Sequence, residues 1–241
     1  MTNVTELPHL ESLPEDWTRA LAIVAHPDDM EYGAAAAVAR WVRQGKWVGY
    51  VLISDGEAGI ADLPPAEVGP LRREEQRASC AIVGVSDIEF LGHPDGAIVE
   101  SITLRHEIAA AIRRHRPHVI LTINHHDTWD GTTWNHADHR AVGRATLDSI
   151  RDAANPWIAP DRGDAWNGVR FAAINASPRP THGVDITDTF EDGLRSLGCH
   201  RTYLEHLGGD GESPASFLRK DAEASGARFG VPLAVTFELI D

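Results

Sequence analysis

The chain has 241 residues, of which 42% are hydrophobic and 24% charged, and these ordinary proportions argue against a disordered chain. The formal net charge of −14 repels nucleic acid and anionic membranes, and no basic stripe along the sequence offsets that repulsion. The acidic balance weakly favours a neutral or cationic ligand.

Apolar runs and helical periods alternate along the first half of the chain. Residues 21–25 predict a short buried strand. The helix that follows ends at Gly45 and has an apolar face formed by Ala34, Val38, Trp41 and Val42. Residues 47–53 predict a second strand. Residues 71–83 predict a helix with Gly84 as its C-cap, whose inward face is formed by Leu71, Ala78, Ala81 and Ile82.

The second half continues the alternation, with a third strand at residues 88–91. The elements predicted after it are a helix from Leu104 to His115, a strand at 118–123, a helix at 138–153 and a strand at 169–174. Nearer the C terminus come a helix from about Asp188 to Leu207, a helix beginning at Ser213 and Pro214, and a strand at 231–240.

The alternation of strands and helices is typical of an α/β fold with an open, mostly parallel sheet and helices on both faces. No repeat, low-complexity tract or linker divides the chain. We therefore expect a single domain over residues 1–241. Its core is expected at about residues 20–150, and a C-terminal extension at about 155–241.

The two cysteines, Cys80 and Cys199, lack the spacing of metal ligands, and each is expected to be a small buried residue of a helix. Residues 1–17 contain no apolar signal region, and no stretch approaches the length of a membrane span. These features predict a reduced, cytoplasmic protein.

Two polar segments follow the first and fourth predicted strands. The segment AHPDDMEYG spans residues 25–33, and NHHDTWDGTTWNHADH spans residues 124–139. In open α/β sheets ligands bind beyond the carboxyl ends of the strands, where the strand order reverses. In the usual strand order that point lies between these two strands. The segments are therefore predicted to meet at one site.

Each segment taken alone also has a purely structural interpretation. Asp28 or Asp29 can cap the following helix, and His26 can be a surface histidine. His136, Asp138 and His139 can decorate the first turn of a helix. The coincidence of both segments at one edge favours function. A dinucleotide site is disfavoured because no GxGxxG follows the first strand, and an aspartate pair stands there instead.

A catalytic zinc ion takes three protein ligands and leaves its fourth position to water, and His26, Asp29 and His139 can supply such a set. Iron(II) or another divalent ion would also fit these ligands. Such an ion acidifies its water toward neutral pH. His136 lies one helical turn before His139, and Asp138 is placed to orient a histidine by hydrogen bonding.

Four motifs resemble those of the LmbE-like, PIG-L-type N-deacetylase family. They are AHPDD at residues 25–29, Arg72…Glu75, LGHPDG at residues 91–96 and HADH at residues 136–139. The resemblance covers roughly residues 20–150. Members of this family deacetylate N-acetylglucosaminyl inositols, bacillithiol precursors and chitin oligosaccharides, or cleave amides of mycothiol conjugates.

This resemblance implies a Rossmann-like three-layer sandwich and a zinc ion bound by His26, Asp29 and His139. It further implies that Asp28 is the general base and that His136 is the acid or the oxyanion stabiliser. Asp138, which is expected to orient a histidine, is counted with these catalytic residues. Arg72 and Asp95 match positions that face the sugar in relatives. Both are expected on loops after strands, although Arg72 can instead pair with Glu75 and Asp95 can be a turn residue.

Several other residues receive no firm assignment. The resemblance leaves Glu31 without a catalytic role. His125 and His126 are expected either to support the metal ligands from behind or to have a structural role. The rings of Trp129 and Trp134 can stack on a sugar or simply pack beside the site. The C-terminal third matches no motif, and in this family that region shapes the substrate pocket.

The function predicted from these observations is hydrolysis of an N-acetyl or other N-acyl group of an amino sugar or its conjugate. An amidase acting on a non-sugar or thiol conjugate and an inactive metal-binding module remain as alternatives. The expected partner is a small N-acyl substrate, without nucleic acid or membrane, and a homo-oligomer is left open.

Overall fold

The computed structural model describes residues 9–207 and 213–241, and a single eight-stranded sheet runs through them. Its strands are β1 (Glu11–Ser12), β2 (Arg19–Val24), β3 (Trp47–Ser54), β4 (Asp87–His93), β5 (Val119–Ile123), β6 (Phe171–Asn175), β7 (His182–Asp185) and β8 (Ala234–Ile240). Their order across the sheet is β1-β7-β8-β6-β5-β2-β3-β4. All neighbouring strands are parallel except β8, which runs antiparallel to β6 and β7.

Seven helices in the described residues cover the two faces of the sheet. They are α1 (Ala35–Arg43), α2 (Pro65–Val83), α3 (Ile102–His115), α4 (Ala137–Ala154), α5 (Phe190–Leu197), α6 (Arg201–His206) and α7 (Pro214–Phe229). One apolar cluster joins the sheet to α1, α2, α5 and α7, and a second joins the other face to α3 and α4. The expected α/β three-layer sandwich with a mostly parallel sheet is confirmed.

Helix α2 differs from its prediction in both extent and orientation. It begins at Pro65 rather than residue 71, and the inward face expected from Leu71, Ala78, Ala81 and Ile82 is wrong. The side chains it buries are instead Val68, Arg72, Gln76, Ser79, Cys80 and Val83. Part of this face is polar because it packs against the polar loop after β2, so hydrophobic periodicity pointed to the wrong side.

The predicted helix from Asp188 to Leu207 is two helices, α5 and α6, interrupted after Leu197. Cys199 lies in this interruption and is half-buried, so its expected burial is wrong, whereas Cys80 is buried as expected. The last strand begins at Ala234, three residues later than predicted, and the two-residue strand β1 was not predicted. Ser213 caps α7 by accepting a hydrogen bond from the Ser216 backbone N–H, as the sequence predicts.

None of the helices in residues 9–207 and 213–241 is long and apolar enough to cross a bilayer. The sequence predicts that residues 1–17 contain no signal region. Of these, residues 1–8 lie outside the described residues.

The pairing of β2 with β5 determines where in the fold the two polar segments meet. The two strands are parallel neighbours, with Ala20 opposite Val119 and Ile23 opposite Thr122. Their carboxyl ends therefore open at the same edge of the sheet, where the chain order reverses. The loop after β2 and the loop that leads from β5 into α4 meet there, as the sequence predicts.

Arg113 anchors the far end of α4, the helix whose first turn carries His139. Its buried guanidinium donates hydrogen bonds to the backbone carbonyls of Asp152, Ala153, Asn155, Ile158 and Ala159, at 2.7–3.2 Å. These are carbonyls at and beyond the helix end, which have no partner within the helix.

Replacing Arg113 by leucine leaves these carbonyls buried and unpaired, so we expect the free energy of unfolding to fall by about 2–4 kcal/mol. Chemical denaturation measures this loss. The matched control is Arg114→Leu, which removes a half-exposed side chain paired with Glu89, and a change within about 0.5 kcal/mol is expected. Equal losses in the two variants would contradict the anchoring role.

Candidate metal centre and its cavity

The loop after β2 turns back on itself, so that one carboxylate oxygen of Asp29 is bound by the backbone of the loop and the other faces His139. Asp29 Oδ2 accepts hydrogen bonds from the backbone N–H groups of Ala25 and His26, both at 2.9 Å. This arrangement closes the turn and fixes the carboxylate plane. The remaining oxygen, Oδ1, lies 3.1 Å from His139 Nε2.

The first turn of α4 carries the second half of the cluster. His136 is the N-cap, and its Nδ1 accepts a hydrogen bond from the Asp138 backbone N–H at 3.2 Å. A neutral His136 whose Nδ1 accepts must carry its proton on Nε2. Asn135, immediately before it, contacts His139 Nδ1 through Oδ1 at 3.3 Å. Because an amide oxygen only accepts, this contact puts the His139 proton on Nδ1 and leaves Nε2 as a lone-pair atom.

Asp95 and Asp138 fix the ring of His26 in the same way. His26 Nε2 lies 3.0 Å from Asp95 Oδ1 and 3.3 Å from Asp138 Oδ2. Asp138 is itself held by the backbone N–H groups of Gly96 and Ile98. With its Nε2 proton directed at carboxylates, His26 presents Nδ1 to the centre of the cluster. A carboxylate behind a ligating histidine is the usual support of a metal site.

Three lone-pair atoms therefore converge. His26 Nδ1 lies 3.1 Å from His139 Nε2 and 3.7 Å from Asp29 Oδ1, and the third edge of this triangle is 3.1 Å. Ligands about 2.0–2.1 Å from a tetrahedral zinc ion lie about 3.3 Å from one another. Lone pairs at such distances repel unless a cation or shared proton lies between them. The residues present thus fit a divalent ion in both chemistry and spacing.

Within the described part of the chain two other groupings also bring potential ligand atoms within 4.8 Å of one another. One combines His26, His136 and His139, and the other combines His26, Asp95 and Asp138. All three groupings share His26, so they are alternative ligand sets within one cluster of side chains. The predicted ligands are brought together, and their service as the actual ligand set remains a prediction.

The charge balance of the cluster favours a cation. Burial alone would lower the pKa of His26, but its contacts with Asp138, Asp29 and Asp95 raise that pKa well above its ordinary value. Burial would likewise raise the pKa of Asp29, yet His139 and His26 hold it well below its usual range. Both shifts have one cause, the close contacts between carboxylate oxygens and histidine nitrogens. A metal ion would replace the proton that this arrangement stabilises.

Asp28 lies beside the cluster in a different environment. Its carboxyl is buried, and desolvation raises its pKa to about 8 although the Arg72 guanidinium opposes the shift. Arg72 Nη2 lies 3.1 Å from Asp28 Oδ2. A carboxyl whose pKa lies near neutrality is suited to exchange a proton.

The placement of Arg72 corrects the sequence prediction. It lies inside α2 rather than on a loop, it is 2% exposed, and it pairs with Asp28 rather than with Glu75. Its guanidinium also donates hydrogen bonds to the carbonyls of Gly56 and Pro27, and it stacks over the Tyr203 ring at 4.1 Å. Asp95 does follow a strand, β4, as expected. Substrate contact by either residue stays a prediction.

A cavity of about 800 Å³ opens above the cluster. Its walls include all three predicted ligands together with Asp28, Arg72, Asp95 and His136. Trp129 lines the cavity and stands edge-on to His139, whereas the exposed Trp134 lies outside the lining and packs under Arg140. The C-terminal third contributes Tyr203, Phe217, Val235 and Thr236.

Sequence reasoning missed the residues that hold the cluster in place, namely Asn135, Gln76 and Tyr203. Asn135 directly precedes the HADH motif, so its position next to a candidate ligand was the one available signal. Gln76 and Tyr203 reach the site from α2 and α6, and nothing local marks them. His126 contacts Glu238 at 2.7 Å, and neither it nor His125 lines the cavity. Their expected role, either supporting the metal ligands or purely structural, stays a prediction.

Comparison with known proteins identifies the family. The family described as PIG-L: GlcNAc-PI de-N-acetylase matches residues 21–150, more than half of the chain. The chain therefore belongs to the PIG-L family, and the LmbE-like, PIG-L-type relationship predicted from the motifs is confirmed.

The relatives are named as deacetylases. The diacetylchitobiose deacetylase of Thermococcus kodakarensis is 29% identical over 194 residues, which cover 78% of this chain and 70% of that protein. The 1D-myo-inositol 2-acetamido-2-deoxy-alpha-D-glucopyranoside deacetylase of Thermobifida fusca is 31% identical over 189 residues, covering 67% of this chain and 63% of that relative. The solved N,N'-diacetylchitobiose deacetylase from Pyrococcus horikoshii superposes with a TM-score of 0.85 and 26% identity, covering 94% of this chain and 85% of that one.

Loss of one ligand should empty the centre. We expect Asp29→Ala to lose most of its bound metal, because a site with three protein ligands cannot spare its only carboxylate. Metal analysis of purified protein after dialysis measures this. The control is Asp130→Ala, which removes a carboxylate that also lines the cavity but stands outside the cluster. Full occupancy in Asp29→Ala would contradict the assigned ligand set.

Proposed function

We propose that the protein is a zinc-dependent hydrolase that removes an N-acetyl group from an amino sugar or its conjugate. The observation that carries this proposal is the convergence of His26 Nδ1, Asp29 Oδ1 and His139 Nε2 beside a buried carboxyl, at the floor of a cavity. Membership of the PIG-L family and the deacetylase relatives support the same reaction.

His26, Asp29 and His139 would hold the ion. Two imidazoles and one carboxylate suit zinc, and iron(II) would accept the same ligands. When bound, such an ion supplies positive charge that polarises the acyl carbonyl and makes water more acidic. The carboxylates of Asp95 and Asp138 keep His26 in the tautomer that leaves Nδ1 free for this purpose.

Asp28 is assigned the proton transfers. In amide hydrolysis the oxygen of water bonds to the acyl carbon and loses a proton, and the carbon–nitrogen bond then breaks as the nitrogen gains one. Asp28 accepts the first proton, and it can return that proton to the departing amine. Arg72, at 3.1 Å, stabilises the ionised carboxylate before the first transfer and after the second.

His136 is assigned the role of donor, on the side of the reacting group away from Asp28. Its Nδ1 is engaged by the Asp138 backbone N–H, so Nε2 carries a proton that it can donate. Such a donor stabilises the negative charge that develops on the acyl oxygen, or protonates the leaving nitrogen. Burial, with His26 and His139 nearby, lowers the pKa of His136, which favours this neutral donor form.

Substitutions at these two positions separate chemistry from metal binding. Asp28→Asn should retain the metal yet lose on the order of a hundredfold or more in kcat, because the amide cannot accept the proton. His136→Ala should lose kcat by a similar factor. Acetate release from N-acetylglucosamine glycosides, measured beside metal content, tests both. Turnover at the native rate in either variant would show that another residue performs the role assigned to the substituted one.

The charge of the cavity indicates which substrates it accepts. Its lining contains five aspartates, namely Asp28, Asp29, Asp95, Asp130 and Asp221, against the single arginine Arg72. A divalent ion adds two positive charges, so the lining stays negative when the histidines are neutral, whether Asp28 is ionised or protonated. Arg72 is already engaged by Asp28 and by two carbonyls. The rings of Trp129, Tyr203 and Phe217 offer apolar faces for sugar C–H groups.

We therefore propose a neutral N-acetylglucosamine derivative or glycoside as substrate. Its kcat/KM should exceed that of the matching 6-phosphate by at least about tenfold, or roughly 1.4 kcal/mol at low ionic strength. Added salt should reduce this difference in kcat/KM while leaving the kcat/KM of the neutral substrate unchanged. Equal use of both substrates would refute the charge argument, and cleavage of non-sugar amides alone would favour the amidase alternative.

The same proposal covers the organisation of the chain and its compartment. Residues 1–241 would act as one domain, in which the segment from about residue 155 onward shapes the pocket, as the positions of Tyr203, Phe217 and Thr236 support. Both cysteines, Cys80 and Cys199, are free thiols, which supports a reducing, cytoplasmic setting.

A further inference from the structure

The peptide unit between Pro27 and Asp28 is held at both of its polar groups by one helix. Arg72 Nη2 donates to the Pro27 carbonyl at 2.6 Å. Gln76 Oε1 accepts from the Asp28 backbone N–H at 3.0 Å. Arg72 and Gln76 are four residues apart in α2, so they project from the same face of that helix. This pair of bonds fixes the rotation of the peptide plane that precedes Asp28.

Asp28 needs such a restraint because its backbone is strained. Its φ is +88°, a conformation that side-chain-bearing residues rarely adopt. A conformation of this kind persists only where the surroundings over-determine it, and it is found preferentially at functional sites. Relaxation to an ordinary negative φ would rotate the Asp28 carboxyl away from the three converging ligand atoms.

The orientation of Gln76 is itself determined. Its Nε2 donates to Glu31 Oε1 at 2.8 Å, and Ser79 Oγ donates to the same oxygen at 2.7 Å. Because the Asp28 backbone N–H can only donate, the amide must turn its oxygen toward Asp28, and its N–H groups then point at Glu31 Oε1. Gln76 is 1% exposed and is absent from the lining of the cavity. It can therefore act on the reaction only through the residues that it contacts, and of these Asp28 is the one that lines the cavity.

We propose that Gln76 is a positioning residue that holds Asp28 in its strained, reactive geometry, and that Glu31 serves as the anchor of Gln76. Arg72 performs the matching task at the Pro27 carbonyl, but it also contacts the Asp28 carboxyl and the cavity, so its substitution cannot isolate the effect. The inference rests on the proposed function, because it assumes that Asp28 performs the proton transfers.

Two substitutions remove the restraint. Gln76→Met keeps the length and apolar volume of the side chain but offers no acceptor to the Asp28 N–H. Gln76→Asn keeps the amide but is one methylene too short to reach both partners. In each, kcat should fall on the order of tenfold to a hundredfold, as expected for a misplaced catalytic group, with KM and metal content unchanged.

The exchanged pair Gln76→Glu with Glu31→Gln should restore activity. In that double variant the carboxylate accepts from the Asp28 N–H, and the new amide at position 31 donates to it, with net charge and shape preserved. A control for lost stability is Asp152→Asn, which weakens the ion pair between the buried Asp152 and the partly exposed Arg105 at the far end of α4. Its melting temperature should fall while kcat stays native.

Hydrogen exchange of the Asp28 amide, followed by NMR on aspartate-labelled protein, gives a readout independent of turnover. Protection should be lost in Gln76→Met and Gln76→Asn and be retained in the double variant and in Asp152→Asn. Native kcat or native protection in the two single variants would overturn the proposal, as would a double variant as slow as Gln76→Met. If the native protein releases no acetate from any substrate, the proposed function fails. Exchange then still decides whether Gln76 restrains Asp28.

Discussion

The parallel pairing of β2 with β5 is the constraint on which the site depends. It places the ends of two strands that are about a hundred residues apart in sequence at one edge of the sheet. His26 and Asp29 come from the first of these ends, and His139 comes from the helix that follows the second. Neither segment can assemble the cluster alone. The apolar layers on both faces of the sheet thus stabilise an arrangement whose own electrostatics are unfavourable without a cation or a shared proton between the converging atoms.

That unfavourable arrangement explains the polar surroundings of the cluster. Buried carboxylates and imidazoles cost free energy unless they are paired, and each one here is oriented by a specific partner. Asn135 directs His139, Asp95 and Asp138 direct His26, and backbone N–H groups direct Asp29. The lone pairs that converge are the groups left over once these bonds are made. A divalent ion would convert their mutual repulsion into ligation.

The parts of this structure that could be predicted from the sequence are those that local pattern encodes. Buried strands such as β2 and β5 are continuous apolar runs, and a ligand that directly follows a strand inherits its position from that strand. His26 and Asp29 follow β2 in this way, whereas His139 takes its position from the first turn of α4, a helix that the sequence also predicts. Helix α4 also followed its prediction closely, since it spans Ala137–Ala154 against the predicted residues 138–153.

Features that depend on long-range polar contacts could not be predicted. Helix α2 buries Arg72 and Gln76, and this choice follows from the loop after β2, about 45 residues away in sequence, rather than from the pattern of α2 itself. The interruption between α5 and α6 was likewise invisible, because the apolar period runs through it. A periodicity argument registers only apolar contacts, so it fails where a helix packs through hydrogen bonds.

The most direct test of this account is a crystal structure of zinc-loaded protein with anomalous scattering measured at the zinc edge. The account predicts one anomalous peak within about 2.0–2.2 Å of His26 Nδ1, Asp29 Oδ1 and His139 Nε2, with an open position toward the cavity. A peak at the other side of the His26 ring, bound by Nε2 with Asp95 and Asp138, would contradict it. So would a protein that binds zinc at neither place.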